Sequence, residues 1–411
     1  MGTKAFFSVR PVTNTLQTLF EHIQPNPKTE TVATADALGR VLASAPKSPT
    51  NLPTFIRSTM DGYAVRASDT FGASGTLPAY LTITDPVHMG EAPTHTVHMG
   101  EASAIHTGGM LPDGADAVVM IERTQSIGDN EIELLAPVAP GENLVQVGED
   151  VAAGAPVLPT GHTLRPQDIG GLLAVGITEV EVVAPITVAI MGSGDEIIPP
   201  DQTPAYGQIR DINSYTISAL CESIGARVIR LGIADDDFDA IRSKAEEGIA
   251  NAEVLIISAG SSVSTRDYTR DTINTLGIPG ILQHGLAVKP GKPAIIAACN
   301  GKPVIGLPGN PVSALLVARQ VVLPTIAHMQ GKTPDIVGTV QATLTANVSS
   351  TTGREDTIPV KLHKTATGYK AEPIFGKSNL IFTLVNADGI MTVPLDDNGL
   401  KSGSLVDVIP F

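Results

Sequence analysis

The chain has 411 residues, 42% hydrophobic and 17% charged, a globular composition with room for several cores and too apolar for disorder. Its net charge of −15, from 42 acidic against 27 basic residues, opposes binding to nucleic acid or an anionic membrane. With 4% aromatic residues and no Trp, it also has little with which to stack bases.

Met1–Arg10 has no apolar signal core, and Phe6 breaks the myristoylation pattern that Gly2 opens. No uninterrupted apolar run approaches the roughly 18 residues of a membrane span. A cytoplasmic protein is therefore expected. Cys221 and Cys299 have no CxxC partner, which fits a reducing compartment and ordinary packing.

A weak helical pattern covers Thr13–His22. Short strands broken by Gly and Pro follow over residues 53–145, for example Tyr80–Thr84 and Ala117–Glu122. Within them Val87-His88-Met89-Gly90-Glu91-Ala92 returns as Val97-His98-Met99-Gly100-Glu101-Ala102. With His95 and His106 this gives a histidine-rich stretch, but its spacing matches no standard zinc pattern. A local β duplication is the better reading.

From about residue 185 strands and helices alternate. Ile186–Met191 ends in Gly194-Asp195-Glu196. Asn213 is a candidate N-cap for a helix stopped by Gly225. Val228–Ile233 ends in Asp235-Asp236-Asp237, before a helix over 238–250. Val254–Ser258 leads into a Gly/Ser loop, and Pro303–Leu307 leads through Pro308-Gly309-Asn310-Pro311 into a helix over 312–320. This spacing predicts a parallel, doubly wound sheet. From residue 336 the chain returns to strands, at Val337–Val348, Thr357–Leu362, Ile390–Pro394 and Leu405–Ile409.

Ligands of such sheets bind at the carboxyl ends of the strands, where these polar loops fall. Asn310 suits an N-cap and Pro311 the first helical turn, so the helix start offers free N–H donors. In Lys289-Pro290-Gly291-Lys292-Pro293 two prolines hold a pair of lysines, a local oxyanion site in an acidic chain. Asp61 and Asp150 sit in Gly-containing loops. Carboxylates facing such lysines fit Mg²⁺, which shares its shell with phosphates and water.

Together and in order, these segments resemble the molybdopterin molybdenumtransferase family, the MoeA and gephyrin E-domain type. The matching segments are Ser58-Thr59-Met60-Asp61-Gly62-Tyr63-Ala64-Val65, the stretch from Thr107-Gly108-Gly109 to Ala117-Val118-Val119, Gly148-Glu149-Asp150 and Gly194-Asp195-Glu196. They continue with the two-lysine turn, Gly306–Ala314, Gly353-Arg354-Glu355-Asp356 and Gly376-Lys377-Ser378.

The resemblance implies a multidomain α/β and β fold. Its parts would be a discontinuous N-terminal domain (1–52 with 146–182), an inserted β domain (53–145), an adenylyltransferase-like doubly wound α/β domain (183–330) and a C-terminal β-barrel-like domain (336–411). It also implies a homodimer with its cleft between subunits. The implied reaction inserts molybdate into adenylylated molybdopterin, cleaving the phosphoanhydride and releasing AMP and molybdenum cofactor. By resemblance, Asp61, Asp150, Glu196, Asp236 and Asp267 are catalytic, with Asp61, Glu196 and Asp267 around Mg²⁺. Thr107, Lys289, Lys292, Pro308, Pro311, Ser313, Arg354 and Ser378 would bind substrate, with a molybdopterin adenylyltransferase as a possible partner.

Two segments depart from the family. The loop after the third strand usually reads Ser-Gly-Gly-Val-Ser-x-Gly-Asp-x-Asp. Here it is Ser258-Ala259-Gly260-Ser261-Ser262-Val263-Ser264-Thr265-Arg266-Asp267, and an Arg-Ile before Thr107 has become Ala104-Ile105-His106. These changes leave open a preference for tungstate. An adenylyltransferase acting on molybdopterin itself and a non-catalytic pterin-binding scaffold are the other readings.

Overall fold

The apolar β-branched runs of the α/β segment become the middle of a six-stranded sheet. A computed structural model of the protein describes residues 8–25, 27–259, 268–334 and 338–411. The strand order is Arg227–Ala234, Thr187–Ser193, Val254–Ala259, Lys302–Pro308, Ile295–Cys299, Pro279–His284. The first four are parallel, whereas the last two run antiparallel to their neighbours, so the expected all-parallel sheet is mixed. The reason is local. Cys299 pairs with Lys302 across Asn300-Gly301, both at positive φ (52° and 80°), the two-residue turn that makes hairpins.

Successive strand residues point to opposite faces, and both faces are covered. Val188, Ile190, Val254 and Ile256 share a core with Ile217 and Cys221 of the helix Asn213–Glu222 and with Val12 and Leu19 of the helix Val12–His22. Ala189, Met191, Leu255 and Ile257 meet Ile241 and Ala245 of Phe238–Asn251 on the other face. The segment Pro311–Met329 is long and apolar enough, by length and composition, to cross a membrane. Its Ala314, Val317, Val321 and Ile326 are instead buried in the first core.

Helix starts differ from the sequence reading in one instructive way. Asn213 lies inside its helix, and the Asp211 carboxylate accepts the Ser214 N–H at 3.0 Å. Asn213 Nδ2 instead donates to Ser258 Oγ and to the Gly309 carbonyl, each at 2.9 Å. A residue chosen as a cap thus ties two strand ends together.

Among the described residues six further sheets pair, and three of them build the rest of the fold. Thr29–Ala33 pairs with the distant Glu179–Val183, and Leu42, Leu164, Leu172 and Val182 share their core. Residues 62–134 form an open six-stranded sheet. In it the His-Met-Gly repeat duplicates a turn rather than a strand. Glu91 N–H returns to His88 O and Glu101 N–H to His98 O, with Gly90 and Gly100 both at positive φ. Finally, Glu355–Thr365, Gly368–Pro373, Val340–Leu344, Leu405–Pro410 and Gly389–Val393 pair in a ring that closes back on Glu355–Thr365. This is a closed barrel, which leaves none of these five strands as an edge.

Candidate functional site

A cavity of about 1070 Å³ opens between the strand-end loops of the α/β unit and the C-terminal barrel. Lys289, Lys292, Arg354 and Lys377 all line it, together with Glu196, Pro308, Ser313 and Ser378. Pro311 sits between two lining residues, Asn310 and Val312. In a chain of charge −15 this is a concentrated cationic surface, and it draws on both folding units.

Backbone pairing brings the cations together. The short strand Val288–Lys289 runs parallel to the start of Glu355–Thr365, with Lys289 opposite Asp356. The Glu355 N–H donates to Ala287 O at 2.8 Å. Asp356 is fully buried. Its Oδ1 accepts from Arg354 Nε at 2.8 Å, and its Oδ2 lies 3.4 Å from Arg354 Nη2 and 3.5 Å from Lys289 Nζ. A guanidinium gripped at two nitrogens by one carboxylate has little freedom to turn.

The two-lysine turn fits against the helix Pro311–Val317 because Gly291 has no side chain. Its φ is +114°, and a Cβ there would meet Val317 Cγ2 at 2.3 Å. Asn310 does take the N-cap position with Pro311 at N1, as its sequence predicts, but its side chain caps nothing. Asn310 Nδ2 donates to Ser378 Oγ at 2.9 Å, and the Val312 N–H donates to the Ser378 carbonyl at 3.1 Å. Part of the donor set expected to face an anion is therefore used to hold the barrel. Val312 and Leu316 add an apolar seam with Leu384 and Ile390.

The carboxylates divide into separate places. Glu196 lines the cavity and folds over Gly194, whose missing Cβ would lie 2.9 Å from Glu196 Oε2. Asp195 Oδ1 accepts the Asp236 N–H at 2.9 Å. Partial loss of solvation, then the charges of Asp195 and Glu196, push the Asp236 carboxyl above its ordinary range. Asp61 and Thr107 meet in the open sheet, away from the residues that line the cavity. Asp61 Oδ1 accepts the Thr107 N–H at 2.8 Å and its hydroxyl at 3.2 Å, with His106 Nδ1 at 3.4 Å. The Thr107 N–H is the main reason the Asp61 carboxyl sits below its usual value. Asp150 likewise stands outside the cavity lining.

Asp267 and the altered loop from Gly260 onward lie outside the described residues. Among the described residues, no group of three His, Cys, Asp or Glu is arranged to hold a metal ion. Sequence reasoning assigned no role to Lys377 or Asp356, and gave Asn310 only that of an N-cap. Each had a signal, since Lys377 precedes Ser378, Asp356 follows Arg354 by two, and Asn310 stands between two prolines.

Comparison with known proteins agrees along the chain. Residues 10–176 match the MoeA N-terminal region (domains I and II), residues 189–328 a probable molybdopterin binding domain, and residues 341–411 the MoeA C-terminal region (domain IV). A putative molybdopterin biosynthesis protein of Methanocaldococcus jannaschii is 34% identical, over 95% of this chain and 94% of that protein. Molybdopterin molybdenumtransferase 2 of Mycobacterium tuberculosis is 31% identical over 92% and 94%. A crystal structure of a Pyrococcus horikoshii molybdopterin biosynthesis MoeA protein superposes with a TM-score of 0.84 at 31% identity, covering 98% of this chain and all of that one. A second structure of MoeA from that organism gives 0.80 at 35% identity, covering 98% and 99%. The chain belongs to the MoeA, or molybdopterin molybdenumtransferase, family of molybdenum cofactor biosynthesis proteins.

Proposed function

We propose that this protein inserts molybdate into adenylylated molybdopterin, cleaving the phosphoanhydride and releasing AMP and molybdenum cofactor. The observation that carries the reading is the convergence of Lys289, Lys292, Arg354 and Lys377 on one cavity. Molybdate is a dianion and the pyrophosphate of the pterin substrate carries further negative charge. A cationic pocket in an acidic chain matches both. Lys289, Lys292, Arg354 and Ser378 hold the oxyanion in this reading, while Pro308, Pro311 and Ser313 shape the adjoining wall.

Glu196 supplies the acidic side of the cavity, and Asp236, which is not among the lining residues, stands behind it in this reading. Loss of solvation, then the charges of Asp195 and Glu196, raise the Asp236 carboxyl, and a divalent cation would relieve that concentration of negative charge. Mg²⁺ binds through one or two carboxylates plus phosphate oxygens, so these residues with Asp267 fit it only in company with the substrate. When bound, it would neutralise charge as AMP leaves. Asp61, Thr107 and Asp150 do not line the cavity, and we assign them to an intersubunit cleft completed by homodimerisation. The four-domain division and a cytoplasmic location belong to the same proposal.

The test is AMP release from adenylylated molybdopterin, with purified protein and Mg²⁺, comparing molybdate, tungstate and no oxyanion. Molybdate-dependent release with metal retained on the pterin supports the proposal. Release with tungstate alone replaces the metal, and no release with either overturns the transferase reading.

A further inference from the structure

We propose that Asp356 is a positioning residue that fixes the geometry of the oxyanion-binding cations, an inference that rests on the reading of Lys289 and Arg354 given above. Asp356 is fully buried, yet the two cations it meets keep 56% and 36% of their side chains exposed. Neither cation therefore needs the carboxylate as a substitute for water.

What the carboxylate does supply is a common reference point. Asp356 belongs to the barrel strand and Arg354 stands just before it, whereas Lys289 belongs to the α/β unit. Asp356 is bonded to the first and paired with the second through its two oxygens. The guanidinium has five N–H groups, and the contacts at Nε and Nη2 leave others for the cavity that Arg354 lines. Donors already held in place lose less entropy when they take up an anion. A competing effect has the opposite sign, since a carboxylate this close also repels an oxyanion. The direction of the change on removing it decides between the two.

The experiment is calorimetric titration of the full-length protein with molybdate, and separately with AMP, for the wild type, Asp356→Leu and Asp356→Asn. Positioning predicts that Asp356→Leu weakens molybdate by about 10-fold or more. Asp356→Asn, which keeps an oxygen for the Arg354 Nε–H, weakens it by about 3-fold. AMP affinity should stay within about 2-fold in both, because this reading assigns Lys289 and Arg354 to the oxyanion rather than to the nucleotide. Gln320→Ala removes a 3.0 Å bond from Gln320 Nε2 to Thr357 Oγ1 at the same junction and should leave molybdate binding unchanged.

Unchanged or tighter molybdate binding by Asp356→Leu overturns the inference, as does an equal loss in Gln320→Ala. Should Asp356→Leu not fold, Asp356→Asn gives the answer, since it leaves both cations in place. About 3-fold weaker molybdate binding with AMP affinity kept supports positioning, and wild-type molybdate affinity overturns it. A wild-type protein that binds no molybdate removes the reading of the site itself. Binding by the wild type and equally by the variants removes only the role of Asp356.

Discussion

Asp61 in the open sheet and Asp356 at the barrel edge are two ways of holding a carboxylate. Asp61 lies at the surface, and its oxygen is occupied by the Thr107 N–H and hydroxyl, with a histidine beside it. It fastens two turns of one sheet. Asp356 lies at the junction of two folding units and balances two cations that face a cavity. Exposed pairs are screened and contribute little, whereas a buried carboxylate dictates where its partners stand. Charge placement at the junction, rather than the number of acidic loops, marks the candidate site.

The largest effects are expected at the junction. Arg354→Ala removes the fork and leaves the Asp356 carboxylate with only Lys289. We expect about 100-fold or greater loss of molybdate-dependent AMP release, on the scale of losing one fixed oxyanion donor, read by steady-state kinetics. Next in size is Gly291→Ala. Its methyl group would overlap Val317 at a φ that favours glycine. A loss of about 1–3 kcal/mol in urea unfolding is expected, with weaker molybdate binding as the lysine turn moves.

Asn310→Ala removes one neutral hydrogen bond to Ser378 while Pro311 still starts the helix. It should cost about 1 kcal/mol or less and raise the molybdate KM a few-fold.

Asp61→Asn tests the other half of the comparison and should change least. Its folded carboxyl titrates below the unfolded one, so the wild type gains stability that is present above the unfolded value near pH 4 and lost as pH falls through the folded value. Thermal midpoints of wild type and variant should therefore differ slightly at pH 7 and converge in strong acid. A gap that widens on acidification would contradict this pairing.

Much of the fold was legible because it rests on local periodicity. Alternating apolar residues at 187–191 and 254–257 face two different cores, as a doubly covered sheet demands. The antiparallel edge was missed although Asn300-Gly301 announced it. The site was legible in part. Lys289, Lys292, Arg354, Ser378 and Glu196 do converge on one cavity, whereas Asp61, Thr107, Asp150 and Asp236 fall outside its lining. Cross-unit bonds such as Asn310 to Ser378 were invisible, because a cap residue that turns to another domain looks the same in sequence as one that caps its own helix. The two cysteines were read correctly as packing residues. Burial pushes their thiols up to about 12 for Cys221 and about 11 for Cys299, so both should resist alkylation in the native protein at pH 8.

The proposed function stands on an oxyanion held where the two-lysine turn meets the barrel. Crystals soaked with molybdate and measured at the molybdenum absorption edge locate the metal directly. An anomalous peak is expected within hydrogen-bonding reach of Lys289, Lys292 and Arg354, lost in Lys289→Ala/Lys292→Ala crystals. A peak elsewhere, with that cavity empty, would contradict it.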